Sequence, residues 1–173
     1  MIVSMKKIEE AKQNLIKLGE VKNYLKIDNE VEDSLLNDLI LAAIRDCEEW
    51  SGIMISKTKI SAVYKQNDKN KYCFVLPKKP VIRIINIYGF YDNGVKSIIN
   101  ENYYHLLIDK VILKQKFNFN SINIDFEVGY VNEIPENLKI TLFEHISDMY
   151  EKRSVCSNFL AEKYKKYRNI KLW

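Results

Sequence analysis

The sequence contains few of the residues from which disulfide frameworks, metal centres and catalytic sites are built. Its three cysteines, Cys47, Cys73 and Cys156, are widely spaced and form no C-x-x-C pair. This pattern argues against disulfides and a zinc site, and it favours a reducing compartment. Only two histidines, His105 and His145, are present. The patterns G-x-x-x-x-G-K-[ST], G-x-G-x-x-G and G-x-S-x-G are all missing, which excludes these phosphate-binding and hydrolase motifs.

Long apolar runs and dense basic blocks are also missing. The first residues, MIVSMKKIEEAK, lack the continuous apolar stretch of a signal peptide, and no segment approaches the ~20 apolar residues that cross a bilayer. We therefore expect a soluble protein, made in a cytoplasm and without a membrane partner. Lys and Arg number 27 and Asp and Glu 23, a formal charge of +4. This balance allows contact with DNA but lacks the basic block of a dedicated nucleic-acid binder.

The stretch from Asp33 to Gly52 predicts the central helix of the fold. Its apolar residues recur at three- and four-residue steps and would share one helix face: Leu36, Leu39, Ile40, Ala43, Cys47 and Trp50. Asp33 or Ser34 can cap the start of this helix, and Gly52 supplies a left-handed position at its end. Burial of each large side chain contributes roughly 1.5–3 kcal/mol, so we expect other elements to pack on this face.

Two further helical regions flank the centre of the chain. Residues 1–17 predict a charged N-terminal arm or helix, and Gly19–Ile27 predicts a short helix that completes the helical region 18–52. Pro135 can occupy a helix start without cost, and residues 135–153 predict a second long helix. Its apolar face would consist of Leu138, Leu142, Ile146, Met149 and Tyr150, with Ile140 and Phe143 pointing elsewhere. We predict that this face packs against the Asp33–Gly52 helix.

Residues 57–130 predict an inserted sheet, because β-branched residues and alternation replace the helical spacing. The predicted strands are Thr58–Tyr64, Tyr72–Leu76, Val81–Tyr88, Tyr103–Ile108, Val111–Lys114 and Ile122–Val128. The fold class is therefore α+β: a small helical core of two long packed helices plus short N-terminal helices, with an inserted, mostly antiparallel small β-sheet. A chain of 173 residues, 47% of them hydrophobic, suits one buried core, so we predict one domain over residues 1–173.

The order of these segments resembles a known family. The segments LGEVKNYLKID, DSLLNDLILAAIRDCEEWSG, LPKKPVIRIINIY, DNG, IDFEVGY, IPENLKITLFEHISDMYEKR and LAEKYKKYRNIKL occur in this sequence in this order. They follow the pattern of the head-tail connector (adaptor) proteins of long-tailed double-stranded DNA phages. The resemblance covers nearly the whole chain from Leu18 onward.

The resemblance implies a structural virion protein without chemistry of its own. Subunits would form a dodecameric ring beneath the portal protein and offer a platform to a tail-side connector or stopper protein. Double-stranded DNA would pass through the ring without sequence specificity. The protein would be assembled in the bacterial host cytoplasm and reside at the head-tail interface of the virion. A closed ring needs heterologous contacts, in which one face of a subunit meets a different face of its neighbour.

Residues 157–173 are basic and aromatic, and we predict that they form a docking tail. Composition and the family resemblance together nominate its contacts with the portal or a neighbouring subunit: Phe159, Leu160, Tyr164, Tyr167, Arg168 and Trp173. If these residues bury only against a partner, deletion of the tail should leave the folding of the subunit intact.

Two other function classes remain as alternatives. An enzyme could use His145 beside Glu144 and Asp148, but one helix turn supplies too few ligands for a metal, and Cys47 lies on the predicted buried face. We therefore predict no catalytic, metal-binding or cofactor-binding residue. A nucleic-acid-binding module could instead use the basic aromatic C-terminal tail, with tyrosines stacking on bases and lysines neutralising phosphates.

Overall fold

A computed structural model describes residues 2–10, 15–65, 72–152 and 158–168. In chain order its elements are β1 (Ile2–Glu10), α1 (Leu18–Leu25), α2 (Asp33–Ser51), β2 (Thr58–Lys65), β3 (Cys73–Val75), β4 (Val81–Phe90), β5 (Lys96–Ile98), β6 (Tyr104–Leu107), β7 (Lys110–Leu113), β8 (Ser121–Val128), α3 (Glu136–Lys152) and α4 (Asn158–Arg168). The chain divides into two compact units. We call them the sheet unit, the described residues of 1–12 and 56–130, and the helical unit, those of 13–55 and 131–170.

The sheet unit contains two antiparallel sheets. One has five strands in the order β1-β2-β8-β4-β5, and the other has three in the order β3-β7-β6. Alternate residues of β2 and β8 are buried: Thr58, Ile60, Ala62, Tyr64, Ile122, Ile124, Phe126 and Val128. The α+β class is confirmed, and the predicted strands are present with ends shifted by at most two residues. The β region nevertheless forms two sheets, whereas one small sheet was predicted.

The N-terminal segment, predicted as a charged arm or helix, contains a strand and not a helix. Ile2–Glu10 is an edge strand that pairs antiparallel with β2, and all nine of its side chains are exposed. Because no face of this strand is buried, its sequence carries no periodicity from which a strand could be predicted. Its conformation depends on hydrogen bonds to β2 and on cross-strand pairs such as Lys59 Nζ to Glu9 Oε2 at 2.6 Å.

A buried carboxylate lies on the central strand of the larger sheet. Glu127 on β8 is buried, and its oxygens lie 2.8 Å from Arg83 Nε and 3.3 Å from Lys57 Nζ. The hydrogen bond from Arg83 holds the pKa of Glu127 below its ordinary value, and Lys57 lowers this pKa further. The ionised carboxylate is therefore the form that stabilises the sheet.

Glu127 should make the stability of the protein fall in acid. Its folded-state pKa lies below the unfolded value, so its contribution is present above about pH 4.5 and is lost as the pH falls through the folded pKa. We expect the Glu127→Gln variant to lose less thermal stability than the parent between about pH 5 and about pH 3. Unfolding midpoints by circular dichroism measure this, with Glu101→Gln, at an exposed position, as the control. If the unfolding midpoints of the parent and of Glu127→Gln fell by the same amount over this pH range, the prediction would be contradicted.

In the helical unit, α2 contacts α1, α3 and α4, so it is the central helix as predicted. Its buried residues are Leu36, Ile40, Ala43, Ile44, Cys47, Glu48 and Ser51. Leu39 and Trp50, both predicted to be buried, are half-buried. The buried face is rotated towards Ile44 and Glu48, because α2 is covered by several helices at once. The side chain of Glu48 accepts a hydrogen bond from the Ile55 amide at 2.9 Å.

The C-terminal end of α2 agrees with the sequence prediction, and the N-terminal end does not. Gly52 ends the helix with a φ of 72°, as predicted. At the start, Glu32 occupies the N-cap without a side-chain capping bond, and Asp33 is already helical. The prediction that Asp33 or Ser34 caps this helix is therefore wrong. The Asp33 carboxylate lies 2.6 Å from Lys22 Nζ on α1.

The second long helix, α3, packs against α2 as predicted. Its buried residues are Leu138, Thr141, Leu142, His145 and Ile146. Met149 and Tyr150 are only half-buried, and Ile140 is exposed. α3 also contacts α1, and an ion pair joins these two helices, with Lys139 Nζ on α3 lying 2.7 Å from Glu20 on α1.

Candidate functional site

The predicted docking tail is in part a helix of the subunit itself. Asn158–Arg168 forms α4, which contacts both α2 and α3. The side chains of Leu160 and Tyr164 are only 3% and 0% exposed. Burial within the chain means that neither residue is available to a partner, so their assignment as contacts with the portal or a neighbour is wrong for this structure. The spacing of four residues between them was the signal for an inward helix face.

Tyr164 joins three helices around one buried cluster. Its hydroxyl lies 3.3 Å from His145 Nδ1 and 3.5 Å from the Thr141 carbonyl oxygen, both on α3. Its ring centroid lies 5.8 Å from that of Trp50 on α2. Aromatic side chains in such clusters contribute large buried areas, and α4 is therefore anchored to the core of the helical unit.

The remaining predicted contact residues have different outcomes. Tyr167 is half-buried and lies between the exposed Lys165, Lys166 and the end of the helix. The side chains of Phe159 and Arg168, and all of Trp173, lie outside the described residues. Their role as interface residues, like that of Tyr167, stays a prediction.

The two groups considered for catalysis are buried within the helical unit. His145 is fully buried, its Nε2 atom has no hydrogen-bond partner among the described residues, and an Asp46 carboxylate oxygen lies 3.6 Å from it. Burial lowers the pKa of His145, and the charges of Asp46 and Asp148 partly oppose this shift. Burial also raises the pKa of the Cys47 thiol to about 12. Cys47 is therefore protonated near neutral pH and unsuited to attack a substrate.

Neither a metal-ion cluster nor a membrane-spanning helix is found among the described residues. No cluster of three or more His, Cys, Asp or Glu side chains is placed to hold a metal ion within residues 2–10, 15–65, 72–152 and 158–168. Within the same ranges, no helix combines the length and the apolar character needed to span a membrane.

One exposed apolar surface lies at the start and on the outward side of α2. Val31, just before the helix, is 88% exposed, and Leu35 and Leu41 are exposed on α2 itself. Asp38 lies between these two leucines and is exposed as well. Residues 28–38 contain five acidic residues and no basic one. We call Leu35, Asp38 and Leu41, together with Val31, the α2 outer face: it is apolar and acidic.

A second exposed apolar surface lies on the three-stranded sheet. Val75 on β3 and Leu107 on β6 are exposed, and both pair with the exposed Lys110 on β7. Directly paired residues of antiparallel strands share a sheet face, so Val75, Lys110 and Leu107 form one row. We call this row and the adjacent Ile108 the hairpin face.

Ile108 in the β6–β7 turn has an unusual backbone conformation. Its φ is 53°, a left-handed value that is uncommon outside Gly and Asn and that costs about 1–2 kcal/mol for a side chain with a Cβ. The side chain is 51% exposed, so packing within the chain offsets little of this cost. The turn is held in place by the amide of Leu76, which donates a hydrogen bond to the Asp109 carbonyl oxygen at 2.7 Å.

Comparison with protein families gives one match that spans most of the chain. The family model described as "Head completion protein" matches residues 14–158. The matched range includes α1, α2, α3 and every strand except β1. No curated protein matches the sequence.

Three structures of gene transfer agent (GTA) particles contain chains with a similar fold. A chain in the neck of an empty GTA particle, computed with C6 symmetry, has a TM-score of 0.74 and 16% identity and is matched over 99% of this chain and 98% of that chain. A chain in the virion of a native GTA particle gives 0.73 and 15%, over 99% and 98%. A chain in the neck of a native GTA particle, computed with C12 symmetry, gives 0.69 and 16%, over 94% and 95%. At these identities the similarity is one of fold.

Proposed function

Because the chain belongs to the head completion protein family, we propose that it is a head-tail connector: a structural protein that completes the DNA-filled head of a phage-like particle and joins it to the tail. The family match over residues 14–158 is the observation that carries this proposal. The chain acts by binding other proteins, without catalysis or a cofactor. Its place is the head-tail interface of the particle.

The subunit forms a ring at this position, by our proposal. Its partners are other copies of itself, twelve in the ring, the portal protein on the head side and a connector or stopper protein on the tail side. The C6 and C12 symmetries of the neck structures with the same fold support a ring of this kind. The exposed α2 outer face and hairpin face also support it, because a ring needs two different surfaces on each subunit. DNA would pass through the ring without being read.

The alternative of a nucleic-acid-binding tail has less support. Tyr164, one of the tyrosines that would stack on bases, is buried in the helical unit. Lys163 Nζ lies 2.5 Å from Glu144 on α3, so this cation already has a carboxylate partner. Both contacts would have to break before these residues met a nucleic acid.

Removal of the gene from the particle genome tests the proposed function. We expect heads that contain DNA but lack attached tails and lose their DNA on storage, because the head would remain uncompleted. Electron microscopy counts tailed and untailed heads, and nuclease protection measures DNA retention. The control is the same genome with the wild-type chain supplied from a plasmid, which should restore tailed heads. Tailed, DNA-retaining particles in the absence of the chain would contradict the proposal.

A further inference from the structure

We propose that the hairpin face of one subunit binds the α2 outer face of a second copy of this chain, and that this contact links neighbours in the ring. The inference rests on the proposed function, since it assumes that identical subunits assemble. It goes beyond that function by assigning the two contacting surfaces and their residues.

The two faces have complementary chemistry. On the hairpin face, the cation of Lys110 lies between the apolar side chains of Val75 and Leu107. On the α2 outer face, the carboxylate of Asp38 lies between Leu35 and Leu41. Within the described part of the chain neither charge takes part in an ion pair. Contact between the faces would bury the apolar residues and pair the two charges.

The spacings of the two faces also agree. Neighbouring strands lie about 4.8 Å apart, so Val75 and Leu107, two strands apart, are separated by about 9.6 Å. The rise of an α-helix is about 1.5 Å per residue, so Leu35 and Leu41 are separated by about 9 Å along α2. Lys110 and Asp38 each lie midway. An apolar, charged, apolar row can therefore meet its counterpart in register.

The strained turn adds an independent argument. Ile108 holds a φ of 53° while half of its side chain is exposed. A glycine would adopt this backbone with less strain, but it would offer no apolar surface. Insertion of Ile108 beside Val31 of the neighbour, which is 88% exposed, would give both side chains a partner.

Charge reversal on each face tests the contact. In cells that lack the native gene, Lys110→Glu or Asp38→Lys alone would place like charges opposite each other, and we expect the yield of tailed particles to fall by about tenfold or more. Equal expression of both variants should restore the yield. In a ring where the two variants alternate, every contact would pair a cation with a carboxylate, because the two faces that meet carry either both native charges or both reversed charges. The double variant in one chain should restore it as well. Glu49→Lys, at the other end of α2 and exposed, is the control and should keep the parent yield.

The outcomes separate this contact from the proposed function. If both single variants support tailed particles at the parent level, or if co-expression and the double variant fail to restore them, the contact is wrong while the connector function stands. If particles form without the chain, the function is wrong, and the contact with it. Photo-crosslinking from position 107 in purified particles should give subunit dimers linked to the peptide that contains Leu35 or Leu41. A crosslink to a different protein would overturn the assignment of a second copy.

A substitution in the turn gives a second signature. Ile108→Gly should raise the unfolding midpoint of the isolated subunit, because the strain is relieved, and should lower the yield of tailed particles. A substitution that merely damaged the fold would lower both. Val95→Asn, at another exposed apolar position of the sheet unit, should leave the yield unchanged. An unchanged yield for Ile108→Gly would remove Ile108 from the interface.

Discussion

A chain that ends at Lys152 will unfold at a much lower temperature than the full-length protein. Truncation removes Leu160 and Tyr164, both buried against the helical unit, and removal of large buried side chains costs about 2–5 kcal/mol each. At roughly 2–4 °C per kcal/mol for a protein of this size, the midpoint should fall by about 8 °C or more. Calorimetry measures the shift.

The substitution Tyr164→Ala isolates the main contact within the full-length chain. We expect a loss of about 3–5 kcal/mol, as for other buried aromatic residues, with a further loss from the hydrogen bonds of its hydroxyl group to His145 or Thr141. Urea unfolding measures the free energy. Tyr167→Ala on the same helix is the control, and it should lose less because Tyr167 is only half-buried.

Tryptophan fluorescence provides a second measurement on the truncated chain. The sequence contains two tryptophans, and truncation leaves only Trp50, whose ring contacts Tyr164. Exposure of Trp50 to water should shift its emission to longer wavelength. A truncated chain with the parental midpoint would mean that α4 contributes nothing to the fold, and the whole tail would then be available for a partner.

Substitution of Gly129 by alanine will also destabilise the protein strongly. Gly129 follows β8 with a φ of 109°, and an added Cβ would lie 2.4 Å from the backbone oxygen of Ser56. The backbone conformation costs about 1–3 kcal/mol for a residue with a side chain, and the clash adds about 1–3 kcal/mol. The Gly129 amide also donates to the Pro80 carbonyl oxygen at 2.9 Å, which restricts any shift away from Ser56.

Gly94→Ala separates the two causes. Gly94 has a φ of 76°, but an added Cβ would meet nothing within 4 Å. This variant should therefore show only the conformational cost, and its unfolding midpoint should lie between those of Gly129→Ala and the parent. Equal midpoints for the two variants would mean that the contact with Ser56 is relieved without cost.

The elements that could be predicted from the sequence are those that bury a regular face. β2 and β8 bury every second residue, and α2 and α3 bury residues at helical spacing, so periodicity alone indicated them. Leu39 and Trp50 show the limit of this argument. A helix covered by several neighbours has more than one boundary between buried and exposed residues, and the spacing of its apolar residues does not say where each boundary falls.

Elements whose conformation depends on distant partners could not be predicted in this way. β1 buries no side chain and is a strand because β2 offers it an edge. β5, a three-residue strand after the Asp92-Asn93-Gly94 turn, depends likewise on β4. The turn at Ile108 gives no warning in the sequence, because left-handed positions are usually occupied by Gly or Asn. One surface of the proposed contact thus became visible only in the structure.

The tail shows a different kind of error. Its aromatic and basic composition suggested a partner, whereas the spacing of Leu160 and Tyr164 suggested a helix with one buried face. Two residues of α4 contact α3: Lys163 pairs with Glu144, and the Tyr164 hydroxyl contacts His145. Composition alone could not show that the partner was another part of the same chain.

The division of the helical unit into two chain segments has a consequence during synthesis. α2 ends at Ser51, while its partner α3 begins only at Glu136, so the ribosome must translate the whole sheet unit before the buried face of α2 can be covered. At about 5–20 residues per second this interval lasts several seconds. β1, which pairs with β2, can find its partner much earlier. The nascent chain would therefore complete its larger sheet first, and α2 would carry an uncovered apolar face that chaperones can bind until α3 and α4 emerge.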